Sequence, residues 1–441
     1  MTLKQSGIEA AQSSAFRSIT LDIYKIRGGK KLSGEVNISG SKNAALPIIV
    51  ASLLADGETT LKNIPNLQDI RTMIKAIEYL GAKTSFDAES NILKIKVDSI
   101  KNNELPYELV KTMRASIYVM GPLLARIGEA DVSMPGGCAI GERPVDIHLS
   151  GFEAMGASVE LEHGFIKARA KQLLAAEFSM RQVSVGATAN LMMAAVLSSG
   201  KTILEKCALE PDIVDLGSFL SKMGAKIKGL GTERIEIEGV KKLKPVEYAI
   251  MPDRIEAGTY LIASAITRGD VTIKGCVTAH IEPLLSVLSE MGFIIDSGEN
   301  HVKVSAGKKI GGAIIKTLPH PGFPTDLQAP MMSLAATLPG ISTITETIFE
   351  NRFTHVPELR RMGADITIEG NVAIIRGTKR LSAAPVMMSD LRAGAALVTA
   401  ALAAKGETEI RRIYHSDRGY EKLSDKLASL GASIRRLSGK G

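Results

Sequence analysis

A motif of Leu or Met, then Gly, then usually Ala, returns six times along the chain, as LGAK, MGAS, MGAK, MGFI, MGAD and LGAS. Its glycines, Gly81, Gly156, Gly224, Gly292, Gly363 and Gly431, are spaced by 75, 68, 68, 71 and 68 residues. Such a period marks a chain built from copies of one supersecondary unit, so the fold has to repeat six times. In the first copy Ile70, Met73, Ile74, Ile77 and Leu80 follow the i, i+3, i+4, i+7 spacing of an amphipathic helix. Gly81 then supplies the left-handed residue that ends it, and a strand follows.

A second helix in each unit is apolar almost throughout: ALPIIVASLLA, RASIYVMGPLLA, ATANLMMAAVL, AGTYLIASAI, QAPMMSLAATL and AGAALVTAALAA. A helix apolar all round has to be enclosed by protein. Each is followed by a glycine (Gly57, Gly128, Gly200, Gly269, Gly340, Gly406) and mostly by a β-branched run such as TTL, VTI or STI, which reads as helix, turn, strand. The 441 residues exceed the ~250 to 300 at which one core stops growing. Two domains of three units each are therefore expected, each enclosing three apolar helices within sheets.

Composition narrows the class. Hydrophobic residues at 45% supply cores, and with 4% aromatics and no Trp the packing is aliphatic. The longest apolar run, 44–55, is shorter than the ~18 to 20 residues of a membrane span, so no membrane insertion is expected. Residues 1–21 lack the apolar core of a secretory signal and read as an N-terminal extension on a cytoplasmic protein. Cys138, Cys207 and Cys276 are widely separated without any CxxC, and the seven histidines form no HExxH, which argues against a disulfide framework and a metal site. The net charge of +7 is spread along the chain and suits small anionic ligands as readily as nucleic acid.

Polar residues gather at the starts of the apolar helices: Ser41, Lys42 and Asn43; Lys111 and Arg114; Ser184 and Gly186; Asp253, Arg254 and Glu256; Thr325 and Asp326; Ser389, Asp390 and Arg392. Ser, Thr, Asn and Asp there are also ordinary N-caps. The cations Lys42, Arg114, Arg254 and Arg392 sit where the helix dipole disfavours them, so each serves a ligand or an opposing carboxylate. Closing loops add Arg352 and Arg418. The stretch MPGGCAIGERPVD, 134–146, sets Cys138 among Gly136, Gly137 and Gly141, five residues ahead of Arg143. Its glycines would let it fold over a ligand or move away, and an arginine beside a thiol lowers the thiol pKa. Cys207 and Cys276 have neither glycine loop nor arginine and read as structural thiols. Arginines converging on one end suit bidentate recognition of phosphate and carboxylate, hence an interdomain anion site.

GEVNISGSKNAALPI, LVKTMRAS, PGGCAIGERPVD, VSVGAT, PDRIEAGT, PHPGFPTDLQA, FENRFTHVPEL, SDLRA and IYHSDRGYE, in this order, resemble the motifs of the bacterial UDP-N-acetylglucosamine enolpyruvyl transferases, a family of 1-carboxyvinyltransferases. The resemblance implies a two-domain inside-out α/β barrel with the active site in the cleft. Residues 42–251 would form the first domain, and 22–41 with 252–441 the second. It implies transfer of the enolpyruvyl group of phosphoenolpyruvate to the 3-hydroxyl of UDP-N-acetylglucosamine with release of phosphate, opening peptidoglycan precursor synthesis. No cofactor, metal, nucleic acid or obligate protein partner is implied.

By the same resemblance Cys138 lies near phosphoenolpyruvate, as general acid or in a covalent adduct that aids product release, and is the thiol alkylated by fosfomycin. Asp326 is similar to the base on the sugar hydroxyl, and can also be read as a helix cap. Lys42, Arg143, Arg392 and Arg418 match the phosphoenolpyruvate contacts. Asn43, Arg114, Asp146, Ser184, Val185, Gly186, Asp326 and Ile348 match the sugar-nucleotide contacts, and Arg352 and Asp390 further cleft residues. Ahead of VSVGAT the family often carries a basic residue, whereas this chain has Gln182 preceded by Arg181. Transfer to shikimate 3-phosphate is the first alternative, disfavoured by the missing GNAGT-type and DKS-type loops. A protein like the RNA 3'-terminal phosphate cyclases is the second, disfavoured by the few aromatics available for stacking. A noncatalytic relative is disfavoured by intact Cys138, Asp326 and Arg392.

Overall fold

The structure, a computed structural model, describes residues 22–111, 113–134 and 145–438. The N-terminal extension 1–21, Cys138 and Arg143 lie outside the described residues. Among the described residues the strands form six four-stranded sheets of one topology, in which one edge strand is parallel to its neighbour and the other two pairings are antiparallel. Alternation sets which face is inward. In Ile92–Val97, Leu93, Ile95 and Val97 are buried while Lys94 and Lys96 face out, and Leu93 and Ile95 stand opposite Leu61 and Thr59.

The apolar helices are enclosed as their composition requires. Lys42–Ala51, Val185–Ala195, Arg254–Ile266 and Leu391–Ala403 are buried along nearly their whole length. The other two are preceded by 3-10 turns. RASIYV forms a 3-10 turn, Arg114–Val119, before the α-helix Met120–Ile127, and Thr325–Leu327 precedes Gln328–Ala335 in the same way. Pro122 and Pro330 fall in the first turn of these α-helices, where a missing N–H costs no intrahelical bond, whereas Pro47 sits inside Lys42–Ala51.

Two separate hydrophobic cores result. One runs from Ala44 to Ile250; the other combines Tyr24–Ile38 with Ile255–Ile434. The N-terminal strand Ile23–Arg27 lies between Glu407–Arg411 and Ser433–Leu437, and Ser33–Asn37 runs parallel to Asp270–Lys274. Glu247–Ala249 pairs with Gly57–Lys62, closing the first set of sheets. The chain therefore passes between the halves twice, and the two passages are hydrogen bonded: Ser41 N to Met251 O at 2.7 Å and Asp253 N to Ser39 O at 2.9 Å.

All six glycines of the repeat have positive φ, between 86° and 116°. Their surroundings differ. A Cβ on Gly363 would meet nothing within 4 Å, whereas on Gly292 it would lie 2.0 Å from the Lys309 carbonyl oxygen. Gly363→Ala is expected to lose about 1–2 kcal/mol from the left-handed backbone alone, and Gly292→Ala more, because a main-chain carbonyl must move as well. Urea titrations of the two variants, made at equivalent repeat positions, check the order.

Candidate active site

The site is built from the helix starts that face the seam between the halves. Four polar residues there are N-caps: Ser41, Ser184, Asp253 and Asp390 accept from backbone N–H groups of the first turn. The Asp253 cap also crosses the seam, accepting from Lys42 N at 3.3 Å, and the Ser41 hydroxyl donates to Asp212 at 2.9 Å, joining two helix starts of the first half. Capping accounts for Asp390, whose second oxygen accepts from Thr354 and Ser389. It does not account for Asp326, which lies inside the 3-10 turn capped at Pro324.

Asp326 is instead the centre of an arginine pair. Arg352 Nη2 donates to Oδ1 at 2.6 Å and Arg392 Nη2 to Oδ2 at 2.8 Å. Both arginines are almost fully buried, at 4% and 6% exposure, so their charges are poorly screened. Arg352 stacks over Phe349, its guanidinium 5.1 Å from the ring centre; Arg392 lies over Tyr420 and donates to its hydroxyl at 3.1 Å. Burial alone would raise the Asp326 pKa, but the Arg392 and Arg352 charges outweigh it and hold the carboxyl well below the usual range. Arg352 Nη1 is buried with no partner among the described residues, a donor left over for a ligand.

A second charged cluster joins Lys42 and Arg418 through Asp69. Lys42 Nζ donates to Asp69 Oδ2 at 3.2 Å and Arg418 Nε to Oδ1 at 2.8 Å. Arg254 stands in a looser ion pair with Asp212, at 3.6 Å. Lys42, Arg254 and Arg392 at the helix starts thus face the carboxylates Asp69, Asp212 and Asp326, of which only Asp326 is among the residues singled out from the sequence. A signal for the other two exists. The first three amphipathic helices carry an Asp-Ile pair in the first turn, at Asp69–Ile70, Asp146–Ile147 and Asp212–Ile213.

The residues matched to the sugar nucleotide lie mostly on the first half. Asp146 opens the helix Asp146–Ala154 and pairs with Arg181 at 2.6 Å, so Arg181 reaches the neighbourhood that Gln182 leaves without a charge. Val185 and Gly186 form the first turn after the Ser184 cap. A Cβ on Gly186 would come 3.1 Å from His148 Nε2. The Asn190 amide, whose oxygen is taken by Gly121 N at 2.8 Å, presents its NH₂ to His148 Nδ1 at 3.0 Å. Burial pushes the His148 pKa down to about 4, so the ring is neutral and carries its proton on Nε2. Arg114 starts its 3-10 turn close enough to act on that ring electrostatically. Ile348 is on the other half, with its N–H on Glu346 at 2.8 Å. Asn43 is half-buried in the first turn of Lys42–Ala51. Cys207 and Cys276 are buried, and burial pushes the Cys207 thiol up to about 12, too high to ionise.

A sequence model described as EPSP synthase (3-phosphoshikimate 1-carboxyvinyltransferase) matches residues 26–427. A Geotalea uraniireducens protein named UDP-N-acetylglucosamine 1-carboxyvinyltransferase is 54% identical over 417 residues, 95% of this chain and 100% of that one. A Myxococcus xanthus protein of the same name is 51% identical, covering 94% and 99%. The enolpyruvyl transferase NikO of Streptomyces tendae superposes with a TM-score of 0.86 at 25% identity, covering 95% of this chain and 100% of that one. EPSP synthase of Acinetobacter baumannii, 16% identical with a TM-score of 0.74 over 94% and 100%, shares the fold. The chain belongs to the enolpyruvyl transferase family.

Proposed function

We infer that the protein transfers the enolpyruvyl group of phosphoenolpyruvate to the 3-hydroxyl of UDP-N-acetylglucosamine, releasing phosphate, as the first committed step of peptidoglycan precursor synthesis. Its two domains correspond to the two cores, with the reaction in the cleft between them. The observation that carries the reading is Asp326 held between two buried arginines, in a chain 54% identical over nearly its whole length to a relative named for this reaction. Both substrates are anionic metabolites of the cytoplasm, where the reading puts the enzyme. Among the described residues no helix is long and apolar enough to cross a membrane.

In this reading the sugar hydroxyl loses its proton to Asp326 while its oxygen bonds to C2 of phosphoenolpyruvate and the methylene carbon takes up a proton, giving a tetrahedral ketal. Loss of a proton from the new methyl group and departure of phosphate restore the enol ether. Cys138 is the group for the proton at carbon, or for an adduct that aids product release. Lys42, Arg143, Arg392 and Arg418 hold phosphate and carboxylate, and their charge stabilises the anionic species along the path. Asn43, Arg114, Asp146, Ser184, Val185, Gly186 and Ile348 hold the sugar nucleotide, with Arg181 in support.

A base works best with a pKa near the operating pH, and the two arginines make Asp326 a weak one. Phosphoenolpyruvate resolves the conflict. Its own anionic groups engage Arg392 and add negative charge beside the carboxylate, both of which raise the Asp326 pKa. Asp326 becomes an effective base only once the enolpyruvyl donor is bound.

Phosphate release with phosphoenolpyruvate and UDP-N-acetylglucosamine tests the reaction, with shikimate 3-phosphate as the competing acceptor. Turnover is expected with the sugar nucleotide alone. Fosfomycin is expected to inactivate the wild type covalently and to spare Cys138→Ser and Cys138→Asp. Turnover with shikimate 3-phosphate instead would sink the assignment of acceptor, and labelling at Cys207 would sink the choice of thiol.

A further inference from the structure

We propose that Asp69 is a positioning residue for phosphoenolpyruvate, a built-in carboxylate that aims Lys42 and Arg418, one from each half, at the anion they share. The inference rests on the reading above, which gives both cations to phosphoenolpyruvate.

Asp69 lies in the first turn of the helix Gln68–Tyr79 and is 4% exposed. Its oxygens divide between the two cations, Oδ2 to Lys42 Nζ at 3.2 Å and Oδ1 to Arg418 Nε at 2.8 Å. Lys42 begins a buried helix of the first half; Arg418 ends the 3-10 turn Ile413–Arg418 of the second. Two like charges converging on one place repel, and in a partly dry seam the repulsion is strong. A carboxylate between them offsets it. Burial works against ionisation of Asp69, yet Lys42 and Arg418 together keep its pKa below the ordinary value, so the anion is permanent at neutral pH.

The manner of the contact separates positioning from competition. Asp69 takes only Nε of Arg418, and among the described residues neither Nη1 nor Nη2 has a hydrogen-bond partner. The outer edge of the guanidinium, the fork that matches carboxylate or phosphate bidentately, stays free. Lys42 Nζ likewise uses one of its three donors. Substrate can therefore add to this cluster without displacing Asp69. Because Arg418 comes from the far half, the same contact also fixes the two halves at the spacing of the anion. Asp212, which stands in the equivalent first turn of the third unit, reaches Arg254 only at 3.6 Å and serves Ser41 as well, so it lacks this geometry.

The test compares wild type, Asp69→Asn and Asp69→Glu by phosphate release and by direct titration of phosphoenolpyruvate in the presence of UDP-N-acetylglucosamine. Asn keeps the shape and removes the charge. Loss of two charge-assisted contacts is expected to raise the KM and Kd for phosphoenolpyruvate about 10- to 100-fold. The KM for UDP-N-acetylglucosamine is expected to hold and Asp69→Glu to recover part of the loss, while the melting temperature falls in Asp69→Asn because Lys42 and Arg418 lose the counter-charge they share. Tighter binding of phosphoenolpyruvate by Asp69→Asn would make Asp69 a competitor and overturn the proposal. So would no change in phosphoenolpyruvate affinity, or a parallel rise in both KM values. Wild type that binds phosphoenolpyruvate without turnover would strike at the reaction assigned above and leave the titration at Asp69 decisive.

Discussion

Asp326→Asn is expected to lower kcat by about 10² to 10⁴-fold, the usual contribution of a positioned base. The substitution keeps the side-chain shape and one acceptor oxygen, so one of the two arginines retains a partner. The other meets an amide NH₂ instead of an oxygen. A variant of this kind separates chemistry from binding: the KM for phosphoenolpyruvate should change less than kcat, because Arg392 is relieved of its internal partner and stays available to the substrate. Stability should fall as well, by about 1–3 kcal/mol, since removing one partner of a buried pair leaves charge uncompensated, discounted here because the Asp326 side chain is 25% exposed. The sign of the pH dependence is fixed. A carboxylate whose folded pKa is depressed contributes stability above its unfolded pKa and loses it as pH falls toward the folded value. The deficit of Asp326→Asn should thus be full at pH 7 and shrink below about pH 4. Steady-state rates and urea titrations at the two pH values measure both effects. More than a tenth of wild-type kcat in Asp326→Asn would remove Asp326 from the role of base.

The parts of this molecule legible in sequence are those where a single residue type is demanded by local geometry. Six glycines at positive φ could be seen as a period because few other residues end a helix in that conformation. The buried helices were visible because a segment without a polar face has only one place to go. The detail lost was geometric. RASIYVMGPLLA is part 3-10 turn and part α-helix, and the apolar run conceals where one gives way to the other.

At the site, the cations could be recognised as misplaced against the helix dipole, but their partners could not. Asp69 is 27 residues from Lys42 and 349 from Arg418, and no sequence pattern encodes a contact of that span. The recurrent Asp-Ile pair was the available clue, hidden because Asp in a first turn is ordinary helix chemistry. Asp390 shows the converse case, since the N-cap it provides accounts for its position.

A cluster at the chain passage carries the largest expected effect on stability. Glu256, 2% exposed, accepts from Ser39 N at 2.7 Å and from Lys426 Nζ at 2.7 Å. Lys426 Nζ also reaches the Ser39 hydroxyl, which donates to Glu421 at 2.6 Å, and Glu421 accepts from Asn66 N on the first half at 2.8 Å. The passage at Ser39 is thereby tied to both halves. Burial pushes the Glu256 pKa up to about 7, Lys426 bringing it partly back. Because the folded pKa is raised, the contribution of this group is fully present below the unfolded pKa, near 4.3, and is lost as pH rises through about 7. Lys426→Ala removes the cation bonded to Glu256 and drives its pKa higher still. Above pH 7 the wild type then holds a paired carboxylate where the variant holds a buried carboxyl that must keep its proton. The difference grows by about 1.4 kcal/mol per pH unit, toward the ~3–5 kcal/mol typical of a broken buried pair. At pH 5.5 Glu256 is protonated in both proteins, and the loss should shrink to about 1 kcal/mol for the missing hydrogen bond. Adding Glu256→Gln to Lys426→Ala should recover most of the loss at pH 8.5 and little at pH 5.5. Equal losses for Lys426→Ala at the two pH values would show that Lys426 acts through packing and not through the Glu256 charge.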